Sequence, residues 1–267
     1  MEYKTLNNGI RIPAAGFGTW DLRGNECVSC VQKAIHAGYR LIDTAIMYGN
    51  EAEVGEGIRR SGMNREDLFV TTKINSPYSS YEKTLKAVDH SLAVMKLDYL
   101  DLVLIHEPYR QYIEMYKALE TAVRAGKIRA AGVSNLNRQL YDRLITECES
   151  VPAVNQVECH VYYPQLSLKD HLEKHGTIME SWAPFTEGRR KIFQEPVLKE
   201  IAEAHQKTAG QIALRYLVQN GIIVIPKTSR EERMKENISL FDFTLSEQEM
   251  KKISSLNENR SLFGWYD

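Results

Sequence analysis

The feature that most constrains the fold of this chain is a regular alternation of short apolar runs with amphipathic helical patterns. The runs are rich in branched residues and fall at 14–18, 40–44, 68–73, 101–106, 129–134, 154–158, 177–182 and 222–226. Glycines stand where several helical patterns end, and glycine readily adopts the left-handed conformation that closes a helix. Strands that alternate with helices in this way form parallel sheets covered by helices. The sequence therefore predicts an α/β fold, a single parallel (β/α)8 TIM barrel over residues 1–267.

Two elements lie outside the repeat. Residues 2–12 predict an N-terminal β-hairpin about the turn Asn7-Asn8-Gly9, and the spacing of Ser246 and Glu249 is typical of a capping box that opens an extra C-terminal helix. The competing architecture is an open doubly wound sheet, which would carry a dinucleotide-binding fingerprint. The nearest candidate, Gly16-Phe17-Gly18, lacks the third glycine and the long helix that should follow. The barrel is therefore favoured.

Composition argues against several classes of function. The chain has 34 Lys and Arg against 35 Asp and Glu, and this net charge of -1 gives no bias towards nucleic acid. No apolar run approaches the roughly 18 residues that cross a membrane. The first residues, Met1-Glu2-Tyr3-Lys4, lack the form of a signal peptide. We therefore expect a cytoplasmic monomer with no nucleic-acid or membrane partner.

Two spacings raise the question of a metal site. Cys27 and Cys30 lie within a helical pattern and have no second pair, which favours reduced helix cysteines over a redox or zinc site. His171 and His175 have helical spacing, but no glutamate follows the first histidine and no third ligand is evident in the sequence. We interpret this pair as part of a solvated helix face, and no metal is expected.

Three of the apolar runs end on ionisable side chains: Asp43, Lys73 and His106, with Tyr48 five residues after the first. Barrel enzymes work at the C-terminal ends of their strands, so these groups should meet at one rim. An ammonium beside a phenol lowers the phenol pKa from its usual value near 10, and a carboxylate would hold the ammonium in place. The alternative is a purely structural Asp–Lys ion pair. The phenol and the imidazole at matching strand ends favour catalysis, with a general acid and a group that orients a carbonyl oxygen.

The same segments resemble the aldo-keto reductase family, and the resemblance covers almost the whole chain. It rests on the segment from Gly38 to Ala45 with Tyr48, on Thr71-Thr72-Lys73-Ile74 and on Leu104-Ile105-His106-Glu107-Pro108. The resemblance implies reversible, NADPH-dependent reduction of aldehydes and ketones without metal. It also implies the catalytic roles, in which Tyr48 is the acid, Lys73 and Asp43 tune it, and His106 orients the substrate.

The resemblance further implies a nicotinamide site spread over several strand ends. Ser134, Asn135 and Gln156 would hold the carboxamide, although the first two could instead cap the following helix. Trp182 would stack on the nicotinamide ring. The other implied contacts lie at the same strand ends and just beyond them: Gly18, Thr19, Asp43, Ala183 and Pro184.

The segment after the last predicted strand would bind the far end of the cofactor. Lys227 and Arg233 flank a helix start, where backbone amides attract phosphate, and the family uses these positions for the adenosine 2′-phosphate. This implies NADPH rather than NADH. Ser229 is the predicted capping residue. The other implied contacts are Thr228, Ser229, Glu236 and Asn237.

The expected substrate contacts are Trp20, Tyr48, Asn75, His106 and Glu107. Many relatives carry tryptophan at the positions of Asn75 and Glu107, so the apolar wall around a large substrate is reduced here. We therefore expect a small, polar carbonyl compound as the partner. The tail Leu262-Phe263-Gly264-Trp265-Tyr266 is a candidate cover for the pocket. The alternative function is an NADP(H)-binding regulatory or sensor module with little catalysis, which the four intact catalytic positions disfavour.

Overall fold

The chain begins with a short hairpin that plugs one end of the barrel. In the computed structural model, which describes residues 1–264, β1 (Tyr3–Thr5) pairs antiparallel with β2 (Arg11–Pro13). The predicted turn is present, and Gly9 has φ 83°, which a residue with a side chain rarely adopts. Leu6 and Ile12 are buried among interior side chains of the barrel strands, so the hairpin is anchored by apolar packing.

Eight parallel strands follow and form a single sheet in chain order. They are β3 (Gly16–Gly18), β4 (Leu41–Asp43), β5 (Phe69–Ile74), β6 (Leu100–Ile105), β7 (Ile128–Ser134), β8 (Val154–Glu158), β9 (Ile178–Trp182) and β10 (Ile223–Val224). The first and last strands meet where Ala15 bridges Val224, whose N–H donates to the Ala14 carbonyl at 3.1 Å. The predicted (β/α)8 barrel is confirmed.

Helices cover the outside of this sheet. Within residues 1–264 the α-helices are α1 (Gly24–His36), α2 (Glu51–Arg60), α3 (Tyr81–Met95), α4 (Tyr112–Arg124), α5 (Arg138–Glu147), α6 (Leu166–Lys174), α7 (Pro196–His205), α8 (Ala209–Gln219), α9 (Glu231–Ile238) and α10 (Glu247–Ser254). The predicted C-terminal helix is confirmed, including its capping box between Ser246 and Glu249. None of the helices in this range has the length and apolarity that crossing a bilayer requires.

The barrel interior is packed tightly enough to require glycine on its strands. A Cβ on Gly16 would lie 2.5 Å from Leu41 Cγ, and one on Gly132 would lie 2.6 Å from Leu104 Cδ2. These leucines belong to the apolar cluster that includes the hairpin, whereas a larger cluster lies between the strands and the helices. The lower part of the barrel is therefore filled with side chains, and the polar groups lie at its C-terminal end.

Candidate active site

Lys73 is the centre of the polar cluster at the C-terminal ends of the strands. Its fully buried ammonium donates to Asp43 Oδ1 at 2.6 Å, to the Thr44 carbonyl at 3.0 Å and to the Tyr48 hydroxyl at 3.2 Å. Strand register explains the first contact, because Asp43 lies opposite Thr71 and side chains two residues apart share a face. The three donors of the ammonium are thereby all used.

Tyr48 reaches this cluster from a short 3-10 helix, Ile46–Tyr48, that follows β4. The loop is held by buried Asn50, whose amide donates to the carbonyls of Thr19 and Leu22 at 2.9 and 3.1 Å. The Tyr48 ring makes edge contacts with Trp20 at 4.8 Å and with His106 at 5.8 Å between ring centroids. The four predicted catalytic residues therefore lie together.

The pKa values of the ion pair and the phenol are set by burial acting against charge. Burial alone would lower the pKa of Lys73, but the Asp43 carboxylate and Tyr48 outweigh it and raise this pKa. Burial raises the pKa of Tyr48, and the Lys73 ammonium offsets only part of that rise. The Lys73 ammonium thus lowers the Tyr48 pKa as predicted, but burial outweighs this effect, so the predicted net fall is wrong. The phenol keeps its proton at neutral pH, as a proton donor must.

His106 directly follows β6 and is a neutral imidazole. Burial, together with the neighbouring Lys73 ammonium, lowers its pKa to about 3. Its Nδ1 is buried and has no hydrogen-bond partner among the described residues. A neutral imidazole carries one N–H, so His106 can donate one hydrogen bond to a substrate oxygen without holding a charge.

A second carboxyl group, that of Glu180, lies deeper in the barrel. The Gln156 amide group donates to Asp43 Oδ2 at 3.0 Å and also to Glu180 Oε1. Glu180 is fully buried, and its Oε2 has no partner within residues 1–264. Burial, reinforced by the Asp43 charge, raises the pKa of Glu180 to about 8. No role was predicted for Glu180 from the sequence, in which its one signal is an acidic residue inside an apolar strand run.

A cavity of about 730 Å³ opens directly above this cluster. Most of the predicted cofactor and substrate residues line it: Gly18, Trp20, Asp43, Tyr48, His106, Glu107, Ser134, Asn135, Gln156, Trp182, Ala183, Pro184 and Lys227. The lining also contains residues for which no role was predicted: Asp21, Met47, Phe185, Glu187, Arg189, Ile225 and Pro226. The cavity therefore joins the polar cluster to the loops after β9 and β10.

Two predicted residues are close to the site but are not among the described residues that line the cavity. Thr19 is buried, and its hydroxyl donates to the Asp43 carbonyl at 2.9 Å. Asn75 precedes the short 3-10 helix Ser76–Tyr78, and its buried side-chain oxygen has no partner in the described part of the chain. Thr19 thus supports the position of Asp43, whereas Asn75 lies outside the cavity lining and its contact with a substrate stays a prediction.

The ends of β7 and β9 bring polar and aromatic groups into the cavity wall. The Ser134 hydroxyl donates to the Gln156 carbonyl at 2.8 Å, and the Trp182 indole N–H donates to Asn135 Oδ1 at 2.8 Å. The residue that caps α5 is Asn137, which accepts from the Leu140 N–H at 3.0 Å. The alternative interpretation of Ser134 and Asn135 as helix caps is therefore wrong.

The segment after β10 leads from the cavity into α9. Lys227 and Arg233 are both exposed, and the helix begins at Glu231 with Arg230 as its N-cap. The prediction that Ser229 caps this helix is wrong, because the N-cap makes no side-chain hydrogen bond and the hydroxyl of Thr228 accepts from the Arg230 N–H at 3.1 Å. The first turn of α9 therefore keeps backbone amides that no side chain caps. Thr228, Ser229, Glu236 and Asn237 lie on this segment, outside the cavity lining.

The C-terminal tail closes one side of the cavity. Buried Glu158 accepts from the Ser261 hydroxyl at 2.6 Å and from the Leu262 N–H at 2.8 Å. These bonds place Phe263 in edge contact with Trp182 at 4.9 Å between centroids, under the Arg189 guanidinium at 4.1 Å. The predicted cover is thus present for Phe263. The remaining aromatic residues of that prediction, Trp265 and Tyr266, lie outside the described residues.

Comparison with known proteins identifies the same architecture. Residues 14–258 match the Aldo/keto reductase family. Among curated relatives, a glyoxal reductase of Bacillus subtilis is 43% identical over 256 residues, covering 95% of this chain and 92% of its own length. The 9,11-endoperoxide prostaglandin H2 reductase of Trypanosoma cruzi is 41% identical over 263 residues, covering 97% and 93% respectively. A Bombyx mori aldo-keto reductase solved in complex with NADP superposes with a TM-score of 0.92 at 33% identity, covering 97% of this chain and 94% of its own. The chain therefore belongs to the aldo/keto reductase family.

Proposed function

We propose that this protein reduces the carbonyl group of aldehydes and ketones to an alcohol, with NADPH as the hydride donor and Tyr48 as the general acid. The observation that carries the proposal is the position of the Lys73 ammonium. It contacts Asp43 and the Tyr48 hydroxyl at once, and these two residues line the cavity together with His106. A structural ion pair alone would not require a phenol and a neutral imidazole beside it.

The residues around the cavity fit an NADP(H) molecule. Ser134, Asn135 and Gln156 give one wall the amide and hydroxyl groups that a carboxamide needs, and Trp182 gives it an aromatic ring. Lys227 and the uncapped start of α9 supply positive potential where a phosphate would lie. The Bombyx mori relative, with the same fold, was solved with NADP. When bound, the nicotinamide supplies the hydride.

Residues of the chain donate the proton to the carbonyl oxygen and stabilise the charge that remains on Tyr48. Tyr48 donates its proton to the carbonyl oxygen, and His106 donates an N–H to the same oxygen and orients it. The phenolate left on Tyr48 lies beside the Lys73 ammonium at 3.2 Å in a buried site, where attraction between opposite charges is much stronger than in water. The ammonium thus favours the state after proton transfer more than the state before it, which is what accelerates a reaction.

The test of this proposal is the variant Tyr48→Phe. We expect kcat for an aliphatic aldehyde to fall by at least about 100-fold, since a positioned general acid typically contributes that much. NADPH binding, followed by fluorescence titration, should stay within about twofold because the ring and its packing remain. Tyr39→Phe is a matched control: Tyr39 is a buried tyrosine whose hydroxyl has no partner among the described residues. Full turnover by Tyr48→Phe would overturn the assignment.

The alternative function is a sensor that binds NADP(H) with little turnover. The same assay on the wild-type protein distinguishes this sensor from an enzyme. Such a sensor would bind NADPH and oxidise it with none of a panel of aldehydes and ketones. An enzyme would turn over at least one of them in the absence of any other protein. The joint presence of Asp43, Tyr48, Lys73 and His106 in contact distance supports the enzyme.

For the substrate, we propose small polar carbonyl compounds such as methylglyoxal. Glu107, Glu187 and Arg189 all line the cavity, and a bulky apolar substrate would have to desolvate them. Burial raises the pKa of both glutamates, so neither is fully hydrated even before a ligand binds. The relatives include reductases named for glyoxal and for a prostaglandin endoperoxide. Family membership therefore does not indicate the size of the substrate, and the proposal rests on the polar residues that line the cavity.

A further inference from the structure

A cluster of possible metal ligands lies on the outer helices, away from the cavity. It consists of Asp142 on α5, His171 on α6 and His175 just after α6, and their donor atoms all lie within 4.8 Å of one another. His171 Nε2 is 2.5 Å from Asp142 Oδ1. The interpretation of the histidine pair as a solvated face without a third ligand is thereby corrected, because helix packing supplies a carboxylate from 29 residues away in sequence.

The two imidazoles are held in place by their packing. They are in mutual edge contact at 5.1 Å between centroids, and each lies 6.0 Å from the ring of Tyr141. Tyr141 is fully buried, and its hydroxyl is hydrogen-bonded to the Thr177 hydroxyl at 2.6 Å. This fixed ring limits the rotation of both histidines. The entropy lost when a metal orders them is correspondingly small.

We propose that Asp142, His171 and His175 bind a divalent transition-metal ion, with Zn²⁺ as the reference ion. Two imidazoles and one carboxylate are a ligand set that zinc uses in proteins, with the fourth position left to water. Imidazole nitrogen also suits Ni²⁺ and Cu²⁺, whereas Mg²⁺ and Ca²⁺ prefer oxygen ligands alone. The site therefore selects for borderline metals over the abundant hard ones.

Only a small rearrangement is needed to fit the ion. Ligand bonds of about 2.1 Å in a tetrahedral site place donor atoms about 3.4 Å apart. The contact between Asp142 and His171 must open by less than about 1 Å, and no pair of donor atoms must close by more than about 1.4 Å. Both changes are available, because the Asp142 side chain is 44% exposed and His175 is exposed. Arg138 competes for the carboxylate, but only at 3.8 Å and with its own side chain 69% exposed.

The ion would join two helices at the end of the barrel opposite the cavity. Each helix runs back against the strand before it, so the end of α6 lies near the N-terminal ends of the strands, and the cavity opens at their C-terminal ends. A ligand that binds the folded state stabilises it. The proposal therefore concerns stability and metal binding, and it stands or falls independently of carbonyl reduction.

The test is a calorimetric titration of tag-free protein with zinc chloride, together with thermal unfolding with and without the salt. We expect one Zn²⁺ per chain and a rise in Tm of at least about 2 °C at saturation. His175→Ala and Asp142→Asn should each weaken binding at least about tenfold and remove the Tm shift, since loss even of an outer partner of a ligand costs that much. His175 is exposed, so its replacement removes only its ring contacts with His171 and Tyr141 and leaves the buried core unchanged.

Two control variants keep this test specific. His205→Ala removes a histidine outside the cluster, which contacts Glu249 at 2.8 Å and the Phe243 ring at 5.4 Å between centroids. Cys148→Ser removes a partly exposed thiol. Both should bind Zn²⁺ like the wild type. Equal affinity of the wild type and His175→Ala, absence of binding to the wild type, or loss of binding in Cys148→Ser would each overturn the proposal. Magnesium chloride at the same concentration should leave the Tm unchanged, and an equal shift would also contradict it.

Discussion

At the scale of single residues, the site contains buried ionisable groups that differ in how completely their hydrogen bonds are satisfied. Lys73 and Asp43 form a complete pair, with hydrogen bonds to the remaining donors and acceptors. Glu180 has one satisfied oxygen and one without a partner in the described residues. A buried carboxyl with this environment avoids its charge and keeps a proton instead. At neutral pH the Glu180 carboxyl therefore keeps its proton beside the ion pair of Lys73 and Asp43.

This difference predicts how Glu180→Gln changes stability with pH. The folded protein holds the Glu180 proton up to a pKa of about 8, whereas the unfolded chain releases it near 4.5. The stabilisation from Glu180 is therefore complete below about pH 4.5 and is lost as the pH rises through about 8. Glutamine does not titrate, so the variant does not lose this stabilisation as the pH rises. The free energy of unfolding of the variant minus that of the wild type should therefore increase by about 1–3 kcal/mol from pH 5.5 to pH 8.5.

The measurement is urea unfolding of both proteins at the two pH values. Other glutamates with raised pKa values, such as Glu51 and Glu107, titrate in both proteins and cancel in the comparison. A wild-type-to-variant difference that does not change with pH would mean that Glu180 is already ionised at pH 5.5. Retained NADPH binding by the variant would show that its fold is intact.

Residue by residue, the positions that sequence could predict are those at the ends of strands. Asp43, Lys73 and His106 each end an apolar run, and a parallel sheet brings such ends together. Glu180 does not end an apolar run, so its position gave no comparable signal. Its raised pKa depends on burial and on its surroundings, which include Gln156, 24 residues away in sequence. The direction of the Tyr48 pKa shift was likewise out of reach, since it depends on how deeply the phenol is buried.

At the scale of elements, the start of α9 is the feature with the clearest consequence. Its N-cap Arg230 forms no side-chain cap, and exposed Arg233 lies in its first turn. Sequence placed the cap one residue early, at Ser229, because a serine three residues before a glutamate satisfies the local pattern. The hydroxyl that accepts a backbone N–H instead belongs to Thr228, in the loop before the helix. The choice between these hydroxyls is made by loop geometry rather than by spacing.

This helix start predicts cofactor discrimination. Arg233→Ala should weaken NADPH binding by about 10- to 100-fold, because a charge-assisted bond to a phosphate is among the stronger hydrogen bonds. NADH, which lacks the 2′-phosphate, should lose no more than about twofold. Dissociation constants for both cofactors, from fluorescence titration, provide the comparison. Lys235→Ala is the matched control, because Lys235 is an exposed cation of the same helix that is already paired with Glu231 at 2.9 Å.

Equal losses of NADPH and NADH in Arg233→Ala would contradict a contact with the 2′-phosphate. An equal loss in Lys235→Ala would show that the general positive potential of the helix, rather than a specific bond, is responsible. The proposed assignment requires a loss that is specific both to Arg233 and to NADPH.

At the scale of the whole molecule, a barrel closed by a plug at one end carries its chemistry at the other. The alternation of strands and helices in the sequence predicted the barrel, since each strand and helix buries its apolar face against its neighbours. The tail was only partly predictable. Its anchor, Glu158, lies 103 residues from Ser261, and nothing in either local sequence signals the other. The wall formed by Phe263 therefore emerges only when the chain is folded.

The shape of this assembled cavity predicts substrate size. Phe263 and Arg189 narrow the cavity beside Trp182, and Glu107 makes the facing lining polar. With saturating NADPH, kcat/KM for methylglyoxal should exceed that for a steroid ketone by at least about tenfold, because the bulky ketone must desolvate Glu107, Glu187 and Arg189, which a small substrate can leave hydrated. A higher kcat/KM for the steroid would mean that the apolar wall to which the tail contributes, and not the polar lining, determines which substrates are preferred.

The anchoring of the tail also bears on how such a protein can diversify. Phe263 is held by the two hydrogen bonds that Ser261 and Leu262 donate to Glu158 and by its own contact with Arg189. It belongs to none of the strands that carry Asp43, Lys73 or His106. Exchange of the last few residues can therefore alter which molecules are accepted while the reaction itself is inherited unchanged. In laboratory evolution, a library restricted to residues 262–264 would sample new specificities at little risk to the barrel, because it keeps the bond from Ser261 to Glu158 and because terminal positions tolerate change better than the core.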